Sequence, residues 1–297
     1  MKELGILLLC AVSFLHVTAS AKTIHKEKSL YRNIVVRETG NRRCLVFAVK
    51  RGDKNQTCTD LRDPKRLVFA YVRMVFAGLL ANPDPHKILV VGLGGGSIPT
   101  TMTELFPHAA IDIVEIDEAV VRVAKKYFSF RENERMTVFV NDARVHIRRA
   151  NLRRDQYDMI ILDAFTGDYI PEHLMTREFF QEVKQLMTAD GVLVANTFSA
   201  SVLYDHESVT YQRVFQTFFN FKMPVTGNRV IITMKQPLPD TQLLVTRAQQ
   251  FAERLDRYGI NFEKYPRLMS RDVDWDTSKR PLTDQFSPAN LLRGAGR

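Results

Sequence analysis

The residues in this chain best suited to chemistry are glycines and carboxylates placed at the ends of apolar runs. Lys87-Ile88-Leu89-Val90-Val91 leads into Gly92-Leu93-Gly94-Gly95-Gly96, and a second apolar run ends in Val114-Glu115-Ile116-Asp117. A buried strand, a glycine-rich turn, a helix and a second strand ending in an acid about twenty residues on form an arrangement that holds an adenosine-containing ligand. The glycines let the backbone turn tightly and approach the ligand without a Cβ clash, and Glu115 is placed to accept hydrogen bonds from ribose hydroxyls. Two more acids recur at equivalent places: Asp142 in Asn141-Asp142-Ala143, and Asp163 after Ile160-Ile161-Leu162. One strand-end aspartate is as often a helix cap as a catalyst, but a repeated set can bind a nucleoside and also supply a base.

The elements that must position these acids follow from periodicity. Short β-prone runs fill residues 28–60 and read as a small antiparallel unit. Residues 60–80 then read as a helix with Leu67, Val68, Tyr71, Val72, Met74, Val75 and Leu79 on its apolar face, and Asn82-Pro83-Asp84-Pro85 marks a boundary. From there strands and helices alternate, which requires a mostly parallel sheet with helices on both faces, an α/β Rossmann-like fold whose crevice lies at the carboxyl ends of the strands. The strand at residues 229–235 is expected to close a hairpin on the sheet edge. The expected division is a leader at 1–21, the β-hairpin region and connecting helix at 22–80, and the Rossmann-like domain at 81–297.

At 297 residues, 45% hydrophobic and 25% charged, the chain is an ordinary globular protein. Met1-Lys2 precedes an apolar run that ends in Thr18-Ala19-Ser20-Ala21, the pattern of a secretory signal cut after Ala21, and the run is too short for a membrane anchor. Export suits the cysteines, since loss of the leader removes Cys10 and leaves Cys44 and Cys58. These lie nearly opposite each other across a hairpin turning at Arg51-Gly52-Asp53-Lys54 and are expected to form a disulfide; two buried thiols are the alternative. The net charge of +9 is concentrated in Arg144, Arg148, Arg149, Arg153 and Arg154. No aromatic residues interleave with them, so they read as the solvated face of a helix and not as a nucleic-acid platform. His146, His173 and His206 have no ligand spacing that groups them, so no metal is expected.

Between about Leu30 and Leu292 the chain resembles the spermidine synthase family of polyamine aminopropyltransferases, closest to its divergent members. The resemblance rests on Gly94-Gly95-Gly96, Glu115-Ile116-Asp117, Asn141-Asp142-Ala143, the strand that ends at Asp163, Thr176-Arg177-Glu178-Phe179-Phe180, and Pro281-Leu282-Thr283-Asp284-Gln285-Phe286-Ser287-Pro288. It implies an N-terminal β-hairpin domain, a methyltransferase-type Rossmann-like domain and a homodimer. It also implies transfer of an aminopropyl group from decarboxylated S-adenosylmethionine to putrescine or a related amine, with no prosthetic group. By this resemblance Asp163 is the base and Tyr71 supports it. Gln56 lies near the donor with Gly92, Gly94, Gly95, Gly96 and Ala143, while Glu115 holds the ribose and Asp142 accepts from the adenine amino group. Asp168 is a candidate for holding the amine acceptor, or a turn residue after Gly167.

Two departures shape the alternatives. Ser97-Ile98 stands where family members commonly carry an acid after the glycines, and Tyr71-Val72-Arg73 replaces a Tyr-His-Glu pattern, so Arg73 is expected to bring a cation to the acceptor site. Besides aminopropyl transfer, the sequence therefore admits an S-adenosylmethionine-dependent methyltransferase with Arg73 steering an anionic acceptor. It also admits a secreted, non-enzymatic binding protein that retains the fold.

Overall fold

The structure, a computed structural model, describes residues 21–49, 52–165 and 169–288. All of the expected leader except Ala21, Arg51 of the expected turn, Asp168 and the residues from 289 onward lie outside the described residues.

A four-stranded antiparallel sheet comes first: β1 (Lys22–Lys28), β2 (Asn33–Thr39), β3 (Arg42–Val49) and β4 (Gly52–Asp60), in that order. The unit begins before the expected residue 28, because β1 is a largely polar strand with no apolar signal. The β3–β4 ladder pairs Cys44 directly with Cys58, and the two are disulfide-bonded. Ile34, Val36, Leu45 and Phe47 share one side of the small sheet and pack on Ala119, Val120 and Val123.

The second unit has eight strands in the order β12-β10-β11-β9-β8-β5-β6-β7. The strands β5 (Lys87–Val91), β6 (Ala110–Glu115), β7 (Met136–Val140), β8 (Tyr157–Leu162) and β9 (Met187–Phe198) are mutually parallel. They are joined by α3 (Ser97–Leu105), α4 (Glu118–Tyr127), α5 (Ala143–Arg153) and α6 (Arg177–Leu186). After α7 (Tyr204–Phe215), the strands β10 (Phe219–Lys222), β11 (Asn228–Met234) and β12 (Met269–Ser270) extend the sheet antiparallel. The expected hairpin forms at this side of the sheet: β10 and β11 pair antiparallel, with β11, whose five consecutive buried residues suit an inner strand, next to β9 and only β10 and the two-residue β12 outside it.

Period-two alternation divides the core. Ile88, Val90, Ile111 and Ile113 face Met102 of α3 and Phe251 of α8 (Thr241–Asp256), whereas Leu89, Val91, Ile160 and Leu162 face Ile147, Phe179 and Tyr211 of α5, α6 and α7. Helices thus cover both faces, as the sequence requires.

Residues 60–80 do not form one helix. After β4 the Asp60 side chain accepts from the Arg62 amide, Pro64 interrupts any helical ladder, and Leu67 bridges Thr59 while its amide donates to Tyr258. Only α1 (Ala70–Val75) and α2 (Gly78–Ala81) are helical. Their apolar residues, Met74, Val75, Leu79 and Leu80, pack with Val194, Val230 and Leu244. A Cβ at Gly78 would lie 2.5 Å from Val194 Cγ2, so the helix rests directly on β9. The connecting helices therefore belong to the large unit. Arg144 also departs from the expected solvated face: it is 7% exposed and makes paired hydrogen bonds to Glu182 and Asp284. Those contacts, Asp284 first, hold its guanidinium further towards the charged form.

Candidate active site

The carboxyl ends of β5, β6, β7 and β8 meet the small sheet and enclose a cleft lined by Gln56, Tyr71, Gly92, Gly94, Glu115, Asp142, Ala143 and Asp163. Residues placed in separate parts of the sequence are thus brought to one site. The β5 end is shaped by glycine. Gly92 has φ +99°, and a Cβ there would lie 2.3 Å from the Asp163 carbonyl oxygen, so only glycine lets the two strand ends lie side by side.

Gly95 and Gly96 are also needed for packing of the loop. A Cβ on Gly95 would meet Thr57 Cγ2 at 2.6 Å, and one on Gly96 would meet the Phe130 ring at 2.4 Å. Both line a neighbouring cavity, with Ser97 and Thr57, on the other side of the loop. Their smallness lets the loop seat against β4 and residue 130, and leaves Gly92 and Gly94 facing the cleft. Ser97 lines the same neighbouring cavity.

Glu115 is 8% exposed and held from both sides: the Leu93 amide donates to Oε2 and the Asp117 amide to Oε1, each at 3.0 Å. Burial raises its pKa, and the two amides oppose the rise. Asp142 caps α5 by accepting from the Val145 amide at 2.9 Å, and its Oδ2 lies 3.3 Å from His173 Nε2. One carboxylate therefore anchors a helix and still faces the cleft.

Asp163 receives a 2.8 Å hydrogen bond on Oδ1 from Asn196 Nδ2. Asn196 is buried near the carboxyl end of β9 and itself accepts from Asn228 Nδ2 at 3.0 Å, so a side-chain chain from β11 fixes it. Burial pushes the Asp163 carboxyl up to about 7; the Asn196 bond opposes this and the charge of Glu115 adds to it. A carboxylate with this affinity is half-ionised near neutrality, which suits a proton acceptor. Tyr71 donates its hydroxyl to the Gln56 carbonyl at 3.1 Å, and burial with the nearby Asp163 charge holds its phenol well above the usual range. At neutral pH Tyr71 positions groups and does not exchange its proton.

Several cleft residues were not read from the sequence. Arg32, from the turn between β1 and β2, lies 4.3 Å over the Phe47 ring, donates to the Phe165 carbonyl at 3.2 Å and stands 3.6 Å from Asp117. His173 and Asn196 join it. None has a motif of its own: each reaches the site through tertiary packing, although the position of Asn196 at a strand end was a usable signal. Arg73 does not bring a cation here. Its guanidinium donates to the carbonyls of Leu67 and Val68 at 2.5 and 3.1 Å, satisfying groups left open where the expected helix fails to form.

Beside Asn196, a further cation is neutralised internally. Arg229 is fully buried and bonds Glu207 at 2.7 Å, Ser208 at 2.7 Å and Thr197 at 2.9 Å. Burial raises the Glu207 carboxyl and Arg229 opposes it.

Comparison with known proteins agrees with this geometry. The spermine/spermidine synthase domain pattern matches residues 68–230. The chain is 53% identical over 289 residues to a polyamine aminopropyltransferase of Vibrio vulnificus, covering 96% of each chain. Among solved structures, a probable spermidine synthase from Corynebacterium glutamicum superposes with a TM-score of 0.65 at 19% identity, over 86% of this chain and 99% of that one. Human methyltransferase-like protein 13 in complex with SAH does so with a TM-score of 0.58 at 27% identity, over 71% and 96%. A shared domain pattern over the site-bearing half of the chain and a full-length relative at this identity lead to one conclusion: the chain belongs to the spermine/spermidine synthase family.

Proposed function

We propose that this protein transfers an aminopropyl group from decarboxylated S-adenosylmethionine to the amine of putrescine or a related polyamine. The observation that carries the reading is Asp163: a carboxylate held by Asn196, with a proton affinity near neutrality, in the same cleft as Glu115 and Asp142. In the proposed reaction, the acceptor nitrogen attacks the aminopropyl carbon bound to sulfur. The carbon–sulfur bond breaks, methylthioadenosine leaves with the bonding pair, and the amine proton passes to Asp163. The sulfonium is already a good leaving group, so alignment and deprotonation of the amine are the tasks left to the protein.

In this reading Glu115 accepts from the ribose hydroxyls with the lone pairs its two amide donors leave open. Asp142, beside Ala143, accepts from the adenine amino group. Gly92 and Gly94 give the donor close backbone contact, while Gln56 and Tyr71 line the side where sulfur and acceptor meet. No prosthetic group is needed. The name of the Vibrio vulnificus relative supports the donor assignment. We include in the proposal export by the leader and assembly as a homodimer. The Cys44–Cys58 disulfide supports the first, and the family resemblance is the ground for the second.

A second reading, methyl transfer from S-adenosylmethionine, draws on Arg32, whose cation lines the cleft and could meet the carboxylate that the decarboxylated donor lacks. Calorimetric titration with both donors, followed by product mass, decides between them. A preference for the decarboxylated donor and a product heavier by one aminopropyl group support the proposal. A preference for the intact donor with a methylated product overturns it, and binding of methylthioadenosine with no turnover of either donor indicates a non-enzymatic binding protein.

A further inference from the structure

At the opposite end of the sheet, Asp84, His86 and His108 converge from two loops. His86 lies immediately before β5 and His108 two residues before β6, so the cluster sits at the amino ends of the parallel strands, away from the cleft. His86 Nε2 is 3.4 Å from Asp84 Oδ2 and His108 Nε2 is 3.2 Å from Asp84 Oδ1, and the three ligand atoms all lie within 4.8 Å of one another. Four ligands about 2.0–2.1 Å from a tetrahedral zinc ion lie roughly 3.4 Å apart, and each histidine already stands at about that distance from one oxygen of the Asp84 carboxylate, His86 from Oδ2 and His108 from Oδ1.

The loops that carry these side chains are fixed independently of any ligand. The amides of His86 and Lys87 both donate to Asp158 Oδ2 at 2.9 Å, and the Asp84 amide donates to Asn82 Oδ1 at 3.2 Å. The Ala110 amide donates to the His86 carbonyl at 2.8 Å, and the His108 ring stands edge-on to Phe106 at 6.0 Å. Pro83, Pro85 and Pro107 restrict the same segments. Ion binding therefore orders little chain, and the two imidazoles already lie together, with ring centroids 4.7 Å apart.

We propose that Asp84, His86 and His108 form a surface site for an imidazole-seeking divalent transition ion, with zinc as the reference occupant. Two imidazoles and one carboxylate select zinc, nickel or copper over magnesium or calcium, which prefer all-oxygen ligands. Solvent completes the coordination, since all three side chains are exposed. The ion ties the start of β5 to the start of β6. It takes no part in the reaction proposed for the cleft, and the inference does not rest on that reaction.

The test uses the untagged mature protein after chelator treatment, titrated with zinc chloride or magnesium chloride in a calorimeter. We expect one zinc per chain and no magnesium binding, with zinc affinity at least ten-fold weaker in His108→Ala and in Asp84→Ala. Zinc raises the thermal midpoint of the native protein and not of the His86→Ala/His108→Ala variant, while methylthioadenosine binding is equal in both. Absence of stoichiometric zinc binding, or binding unchanged in the double variant, overturns the proposal.

Discussion

Replacing Asn196 with alanine tests how the proposed base is tuned. The substitution deletes the 2.8 Å bond from Asn196 Nδ2 to Asp163 Oδ1, one of the contacts that favour the ionised carboxylate. A hydrogen bond to a charged group contributes about 1.5–3 kcal/mol, and about 1.4 kcal/mol corresponds to one pKa unit. Taking the low end, because Asp163 keeps some access to solvent, the carboxyl moves from about 7 to roughly 8. The ionised share at pH 7 then falls from about one half to about one tenth, a loss of roughly five-fold in kcat/KM for the amine, while at pH 9 the two enzymes nearly converge. The assay follows methylthioadenosine release from pH 6 to 9.5. The acceptor's own titration is common to both enzymes and cancels in the ratio of native to variant. A ratio that stays flat across this range refutes the argument, because a variant that only loosened the cleft would lose activity equally at every pH.

Three further outcomes follow from the same geometry. Asp163→Asn abolishes transfer yet raises the thermal midpoint at pH 8: the carboxyl's raised proton affinity makes its contribution to stability fall as pH climbs from about 4 to 7, so the gain shrinks to nothing near pH 4. Glu207→Ala leaves the Arg229 charge buried without its carboxylate and should cost about 3–5 kcal/mol in urea unfolding, with Glu207→Gln much milder. Reducing the Cys44–Cys58 bond, which spans a sequence separation of 14, should remove on the order of 3 kcal/mol, read as a lower denaturant midpoint in dithiothreitol; an unchanged midpoint contradicts this.

Much of the site was legible because strand ends are marked chemically. Glu115 and Asp163 follow buried apolar runs and Asp142 follows the apolar, largely exposed edge strand β7, and the topology of a parallel sheet obliges their carboxyl ends to meet. The disulfide was legible because hairpin register is local. What stayed hidden depends on distant partners. The apolar residues after position 60 have helical spacing, but Pro64 and the bridge from Leu67 to Thr59 prevail until Ala70. Arg144 looks like one of five surface arginines until Glu182 and Asp284 arrive from elsewhere in the chain. The helix α8 went unread although Leu244, Ala248, Phe251 and Leu255 repeat at helical spacing behind an Asp240 cap. Likewise, the pairing of His86 with His108 exists only once β5 and β6 lie side by side.

The contact between Gly92 and the Asp163 carbonyl has a consequence for anyone wishing to redesign this protein. The separation between the two halves of the cleft is set by main chain against main chain, like a ruler that no side-chain library can lengthen. Saturation mutagenesis at position 92 should return glycine alone. Variants with a new acceptor preference should instead accumulate at wall positions such as Phe165, Pro171 and Leu174, where cleft shape can drift while the spacing stays fixed.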